Sequence, residues 1–139
     1  MEVIGRTELQ IAAAPDRVWA VLADIAGWRA WMPGVRWAVL EGDFGAGAYV
    51  TVIPSKGRRQ TAFRIDAAAA PLILALGFTI GPVAALRCTW LVEPDGAGTR
   101  IIYTVEIDGP LRRFLVAGIA ASLHAAAPAM LEALRSALA

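Results

Sequence analysis

A chain of 139 residues fits one domain and is long enough to bury a core without disulfide or metal staples. Thirteen Lys and Arg against twelve Asp and Glu give a formal net charge of +1, which leaves no electrostatic footprint for nucleic acid or an anionic membrane. A single cysteine, Cys88, and a single histidine, His124, exclude an intrachain disulfide and a clustered Cys/His metal site, so no metal and no cofactor is expected and a cytoplasmic location fits.

The chain opens on the end of a strand at Ile11, and Pro15-Asp16 then starts a helix. Proline is tolerated in the first turn, where its missing N–H has no intrahelical partner, and an acid there suits the helix dipole. Val18, Val21 and Leu22 make one apolar stripe, with Trp19 alongside, while Arg17 and Asp24 point elsewhere. A second short helix carries Trp28, Trp31 and Met32 before Pro33-Gly34 breaks it. Such a bulky apolar lip either plugs a core or roofs a pocket.

Strand patterns follow in series at Val35 to Glu41, Ala48 to Ile53, Gln60 to Asp66, Leu72 to Ile80, Ala84 to Glu93 and Thr99 to Asp108. In the third, Thr61, Phe63 and Ile65 alternate with Ala62, Arg64 and Asp66, which predicts a dry face and a wet one. Gly81-Pro82 and Pro94 to Gly98 read as hairpin turns, and Lys56 to Arg59 as a solvated tip. Residues 67–86 carry no charge over about 20 positions, the length of a membrane span. Pro71, Gly77, Gly81 and Pro82 break that run into strand-sized pieces, so stable membrane insertion is not expected. No basic region followed by a long apolar stretch opens the chain, and export is unsupported. After Gly109-Pro110, apolar residues from Leu111 to Leu138 recur at helical spacing, and Pro128 is expected to kink or interrupt that helix.

The motifs A-P-D-R-V-W-A-V-L-A-D at 14–24, W-R-A-W-M-P-G-V after it, E-P-D-G-A-G-T-R at 93–100 and G-P-L at 109–111, in this order of elements, resemble the START-like or SRPBCC superfamily, and within it the polyketide cyclase/dehydrase-type proteins. The resemblance covers essentially the whole chain, 1–139. It implies an α+β helix-grip fold: a curved antiparallel sheet of about seven strands around a long C-terminal helix, with two short helices between the first two strands. It also implies an apolar cavity between sheet and helix. Small residues at Ala117, Gly118, Ala120, Ala121 and Ser122 would either leave that void or permit close packing.

The wall residues expected from strand and helix phase are Trp31, Trp37, Phe63, Phe78, Trp90 and Phe114, joined by Ile119 and Leu123 on the last helix. The same periodicity also describes plain core. Three polar groups are candidates for a ligand contact. His124, in an uncharged helical stretch, is the one side chain suited to proton transfer near neutral pH, against the plainer reading of an internally paired histidine. Tyr103 offers a phenol on the dry phase of its strand, and Arg87 either meets a ligand anion or faces solvent across the sheet. Asp24 and Glu41 have no paired carboxylate, and no serine sits in a nucleophile elbow.

Two functions fit. The first is binding, for carriage or sensing, of a hydrophobic small molecule such as a lipid, isoprenoid or polyketide-like compound, by a monomer or homodimer. The second is a metal-free cyclase or dehydratase that uses the same cavity with His124 as its proton carrier. An interaction module with an exposed apolar patch is a third, lesser reading.

Overall fold

In the computed structural model, which describes residues 2–57, 60–80, 84–109 and 117–139, β1 (Glu2–Ile11) leads into α1 (Pro15–Ala23). Pro15 and Asp16 occupy the first helical turn, and Val18 and Leu22, one turn apart, are fully buried. Asp24 ends α1, and its carboxylate accepts from the Gly27 backbone N–H at 3.3 Å. That contact starts a 3-10 turn at Ile25–Gly27, which runs straight into α2 (Trp28–Trp31).

The remaining strands are β2 (Val35–Glu41), β3 (Tyr49–Pro54), β4 (Thr61–Ala69), β5 (Ile73–Ile80), β6 (Ala84–Asp95) and β7 (Gly98–Asp108). They form one curved seven-stranded sheet in the order β1-β7-β6-β5-β4-β3-β2. All neighbours are antiparallel. The uncharged run at 67–86 is therefore sheet, spread over the end of β4, β5 and the start of β6; the Gly81-Pro82 turn lies outside the described residues. No helix among the described residues is long and apolar enough to cross a membrane.

Side-chain alternation decides which face meets the core. On β6, Leu86, Cys88, Trp90 and Val92 are buried, and on β7 Ile101, Tyr103 and Val105 are. Outward-facing Asp66 of β4 pairs with Arg64 at 2.8 Å and with Arg87 of β6 at 3.2 Å. A side chain at Gly77, between them on β5, would overlap the Asp66 carboxylate, so this glycine makes room for the ion pair.

β2 departs from its sequence pattern. The pairing shifts register between Val35, opposite Pro54, and Trp37, opposite Ile53. A bulge of this kind moves every later side chain to the other face. Ala38 is consequently buried, while Trp37 and Val39 are exposed.

The last helix, α3 (Ala117–Ala137), continues unbroken through Pro128; residues 111–116, expected as its first turns, lie outside the described residues. Pro128 is exposed, so the backbone bond it removes is lost on the wet side. Ala127, Met130, Leu131, Leu134 and Leu138 form the buried stripe, and the helix packs on β1 and β7. Its end is fastened by Arg135, whose Nη2 donates to the Gln10 carbonyl of β1 at 2.9 Å. Gly118, Ala121 and Ser122 are exposed, so these small residues serve neither a void nor close packing.

Candidate ligand-binding cavity

Between the inner face of the sheet, α2 and α3 lies a cavity of about 600 Å³, a size typical of small-molecule sites. Its deep wall is aromatic. Trp28 of α2 stands 6.0 Å from Trp90 of β6, and Trp90 stands 4.9 Å from Tyr103 of β7, ring centre to ring centre. Phe63 and Phe78, 6.2 Å apart, form a second wall on β4 and β5. α3 closes the space with Leu123, Ala126, Ala129 and Met130, and the segment after α2 contributes Met32, Pro33 and Val35.

The described lining contains no Asp, Glu, Lys, Arg or His. Its polar side chains are Gln60, Thr61, Cys88, Tyr103 and the two indoles. The Trp28 indole N–H donates to the Leu22 carbonyl at 2.8 Å, which satisfies one of the orphan carbonyls in the last turn of α1. The Cys88 thiol and the Tyr103 phenol are close enough for each to influence the other's protonation. Trp90 is 3% exposed, and its Nε1 has no acceptor among the described residues.

Burial keeps both titratable wall groups neutral. It pushes the Cys88 thiol up to about 11, against an opposing pull from the neighbouring Tyr103 phenol. It raises Tyr103 far above the ordinary phenol, with the neighbouring Cys88 adding to the shift. The folded thiol pKa lies above its unfolded value, so the stabilisation is complete below an unfolded pKa of 9.0 and is lost as pH rises through about 11. Wild type is expected to lose about 2 kcal/mol more than Cys88→Ala between about pH 8 and about pH 11, read from urea midpoints. Equal losses in the two proteins would show that this thiol is not held neutral by the fold.

The residues expected from sequence fall into three groups. Phe63, Phe78, Trp90, Tyr103 and Leu123 come together around the cavity. Trp31, Trp37, Arg87 and His124 are placed away from it. Trp31 lies in a shallow groove with Val21, Ala30 and Ala133, because a one-turn helix directs its tryptophans by how it docks. Trp37 is turned outward by the β2 bulge and lies under the Arg29 guanidinium, 3.6 Å from the ring centre. Arg87 points from the outer face to Asp66. The His124 imidazole packs against Gly5 of β1, and its Nδ1 is buried with no partner among the described residues. Phe114 and the Ile119 side chain lie outside the described residues.

Sequence reasoning missed Trp28, Met32, Leu76 and Cys88 as lining residues. Their signal was present: Leu76 shares the phase of Phe78, Cys88 that of Trp90, and Trp28 and Met32 belong to the apolar lip.

A sequence profile described as polyketide cyclase/dehydrase and lipid transport matches residues 3–139. The chain belongs to that family. Solved structures agree in fold. Norcoclaurine synthase from Thalictrum flavum, a point mutant in complex with a transition-state analogue, gives a TM-score of 0.72 at 20% identity, over 99% of this chain and 93% of its own. The di-domain ARO/CYC BexL gives 0.75 at 18% identity over 98% of this chain, which spans 46% of BexL. The protein TTHA0849 from Thermus thermophilus gives 0.68 at 20% identity, over 96% of this chain and 95% of its own. At these identities the likeness is one of fold. No curated protein sequence matches the chain. Members of the polyketide cyclase/dehydrase and lipid transport family thus supply an architecture for this cavity, and its chemistry is read from its own lining.

Proposed function

We propose that this protein binds an apolar small molecule in the cavity between sheet and α3 and carries or senses it without transforming it. The observation that carries this reading is the lining: about 600 Å³ of largely aromatic and aliphatic wall with no charged side chain among the described residues. Apolar burial at roughly 25 cal/mol per Å² would supply most of the affinity. Phe63, Phe78, Trp90, Tyr103 and Leu123 are the proposed contacts, together with Trp28 and Met32.

Catalysis by proton transfer is less well supported. A general acid or base works best with a pKa near the operating pH. The titratable groups among the described lining residues are Cys88 and Tyr103, both held neutral by burial, and His124 packs against Gly5 instead.

Native mass spectrometry of the purified protein, followed by denaturing extraction, tests the binding reading. A stoichiometric, extractable apolar molecule is the expected result. An empty protein that also fails to take up the neutral dye Nile red would overturn it.

A further inference from the structure

The cavity has a direction, and the conclusion drawn from it rests on the cavity-binding reading above. Strand register sets the axis: Thr61 lies opposite Val52 at the outer end, Phe63 and Phe78 meet one step further in, and Leu76 lies opposite Cys88 beyond them. Exposure falls along the same path, from exposed Gln60 through half-buried Thr61, Phe63 and Phe78 to Leu76 and Cys88 at 3%. The outer end is therefore the mouth. Its rim joins the Pro33-Gly34 turn to the β3–β4 connection, since the Ser55 N–H donates to the Gly34 carbonyl at 3.0 Å. Chemistry changes along this axis as well. The inner part is neutral, whereas the rim carries Gln60 and Thr61 and, next to Ser55, Lys56, which is exposed and forms no ion pair with a described residue. From Phe44 to Ile65 the sequence holds four cations, Lys56, Arg58, Arg59 and Arg64, and no acid. Arg64 is paired with Asp66 on the outer face, and Arg58 and Arg59 lie outside the described residues.

We infer that the ligand is an anionic amphiphile, an apolar chain ending in a carboxylate, and that it sits with its chain inward and its acid at the rim formed by Gly34, Lys56, Gln60 and Thr61. The chain lies along Phe63, Phe78 and Leu123, which line the cavity and are only half-buried. A carboxylate carried to the depth of Leu76 would surrender its hydration with no cation to replace it. At the rim it stays partly in water, accepts from the Gln60 amide and the Thr61 hydroxyl, and meets the field of Lys56. Such an exposed pairing is weak by itself and is screened by salt. Its sign does the selecting: the rim segments 32–36 and 52–63 contain no acid, so a cationic head in the same place would meet only like charge.

Three probes with one chain separate these terms: dodecanoate, dodecanol and dodecylammonium, titrated below their micelle concentrations into wild type and Lys56→Glu. At low salt dodecanoate is expected to bind wild type about tenfold more tightly than dodecylammonium, and the gap should close as salt is raised to about 0.5 M. Lys56→Glu, a change on the exposed surface, is expected to weaken dodecanoate about threefold and to leave dodecanol within about twofold. Orientation is read separately in wild type. Nuclear Overhauser contacts should run from the methylene beside the carboxylate to the Thr61 methyl, and from the terminal methyl to Phe78 and Leu76. Reversed contacts, a dodecylammonium that binds as tightly as dodecanoate, or undiminished dodecanoate affinity in Lys56→Glu would each overturn the assignment while leaving apolar binding intact. A protein that takes up Nile red and none of the three chains would do the same. A protein that takes up neither Nile red nor any chain would overturn the cavity-binding reading and this assignment with it.

Discussion

Trp28→Ala is expected to remove about 3–5 kcal/mol of folding stability, within the range for emptying a large aromatic from a packed core. Trp28 is 1% exposed, packs at a tilt against Trp90 with ring centres 6.0 Å apart, and its indole N–H closes the end of α1 through the Leu22 carbonyl at 2.8 Å. One side chain thus joins α1, α2 and the sheet. Truncation leaves a void beside an existing cavity and an unpaired carbonyl together. Against a total of about 5–15 kcal/mol for a domain of this kind, the loss is a large share. Trp28→Phe separates the two effects, because it keeps most of the ring burial and deletes the donor; about 1–2 kcal/mol is expected there. Urea unfolding followed by far-ultraviolet circular dichroism measures both variants without relying on tryptophan emission. A loss below about 1 kcal/mol in the alanine variant would mean that the cavity wall collapses freely around the site, and that Trp28 is not what holds α2 to the sheet.

The parts of the fold that were legible before any coordinates are those ruled by local chemistry. Pro15 and Asp16 mark the start of α1 because their constraints act within one turn. The faces of β4 follow from its own alternation, with Phe63 and Ile65 inward and Arg64 and Asp66 outward. The site was harder to read, because cavity lining depends on how elements dock. A single register shift at the start of β2 sends Trp37 outward, and no period within that strand announces it. Trp28 and Trp31 share a one-turn helix, too short for an amphipathic pattern to choose between them. His124 sits within the helical pattern that placed Leu123, yet its imidazole meets β1 while Leu123 meets the cavity. Resolving that difference of one residue requires the rotation of α3 about its own axis, which tertiary contacts set. The membrane-length run at 67–86 shows the converse: its prolines and glycines already marked it as strands, and the sheet places it in β4, β5 and β6.

Gly5→Ala supplies the second large effect, and its sign is diagnostic. An interior strand glycine ordinarily weakens a sheet by roughly 0.5–1 kcal/mol, so alanine in its place should help where space allows. At Gly5 the added Cβ would overlap the His124 imidazole, and Gly5 is buried on the strand that α3 grips. The helix cannot step back freely, because Arg135 ties its far end to the Gln10 carbonyl of the same strand at 2.9 Å. The methyl group must displace a ring, a strand or a helix, and overpacking of this kind costs about 1–3 kcal/mol. His124→Ala opens the space the methyl needs. The double variant is therefore expected to be more stable than the sum of the two single losses by about 1–3 kcal/mol, a coupling reserved for side chains in direct contact. Four urea titrations, of wild type, both single variants and the double, complete the cycle. Additive losses, or a Gly5→Ala protein as stable as wild type, would show that His124 does not pack on β1, and would return it to the groups free to reach the cavity.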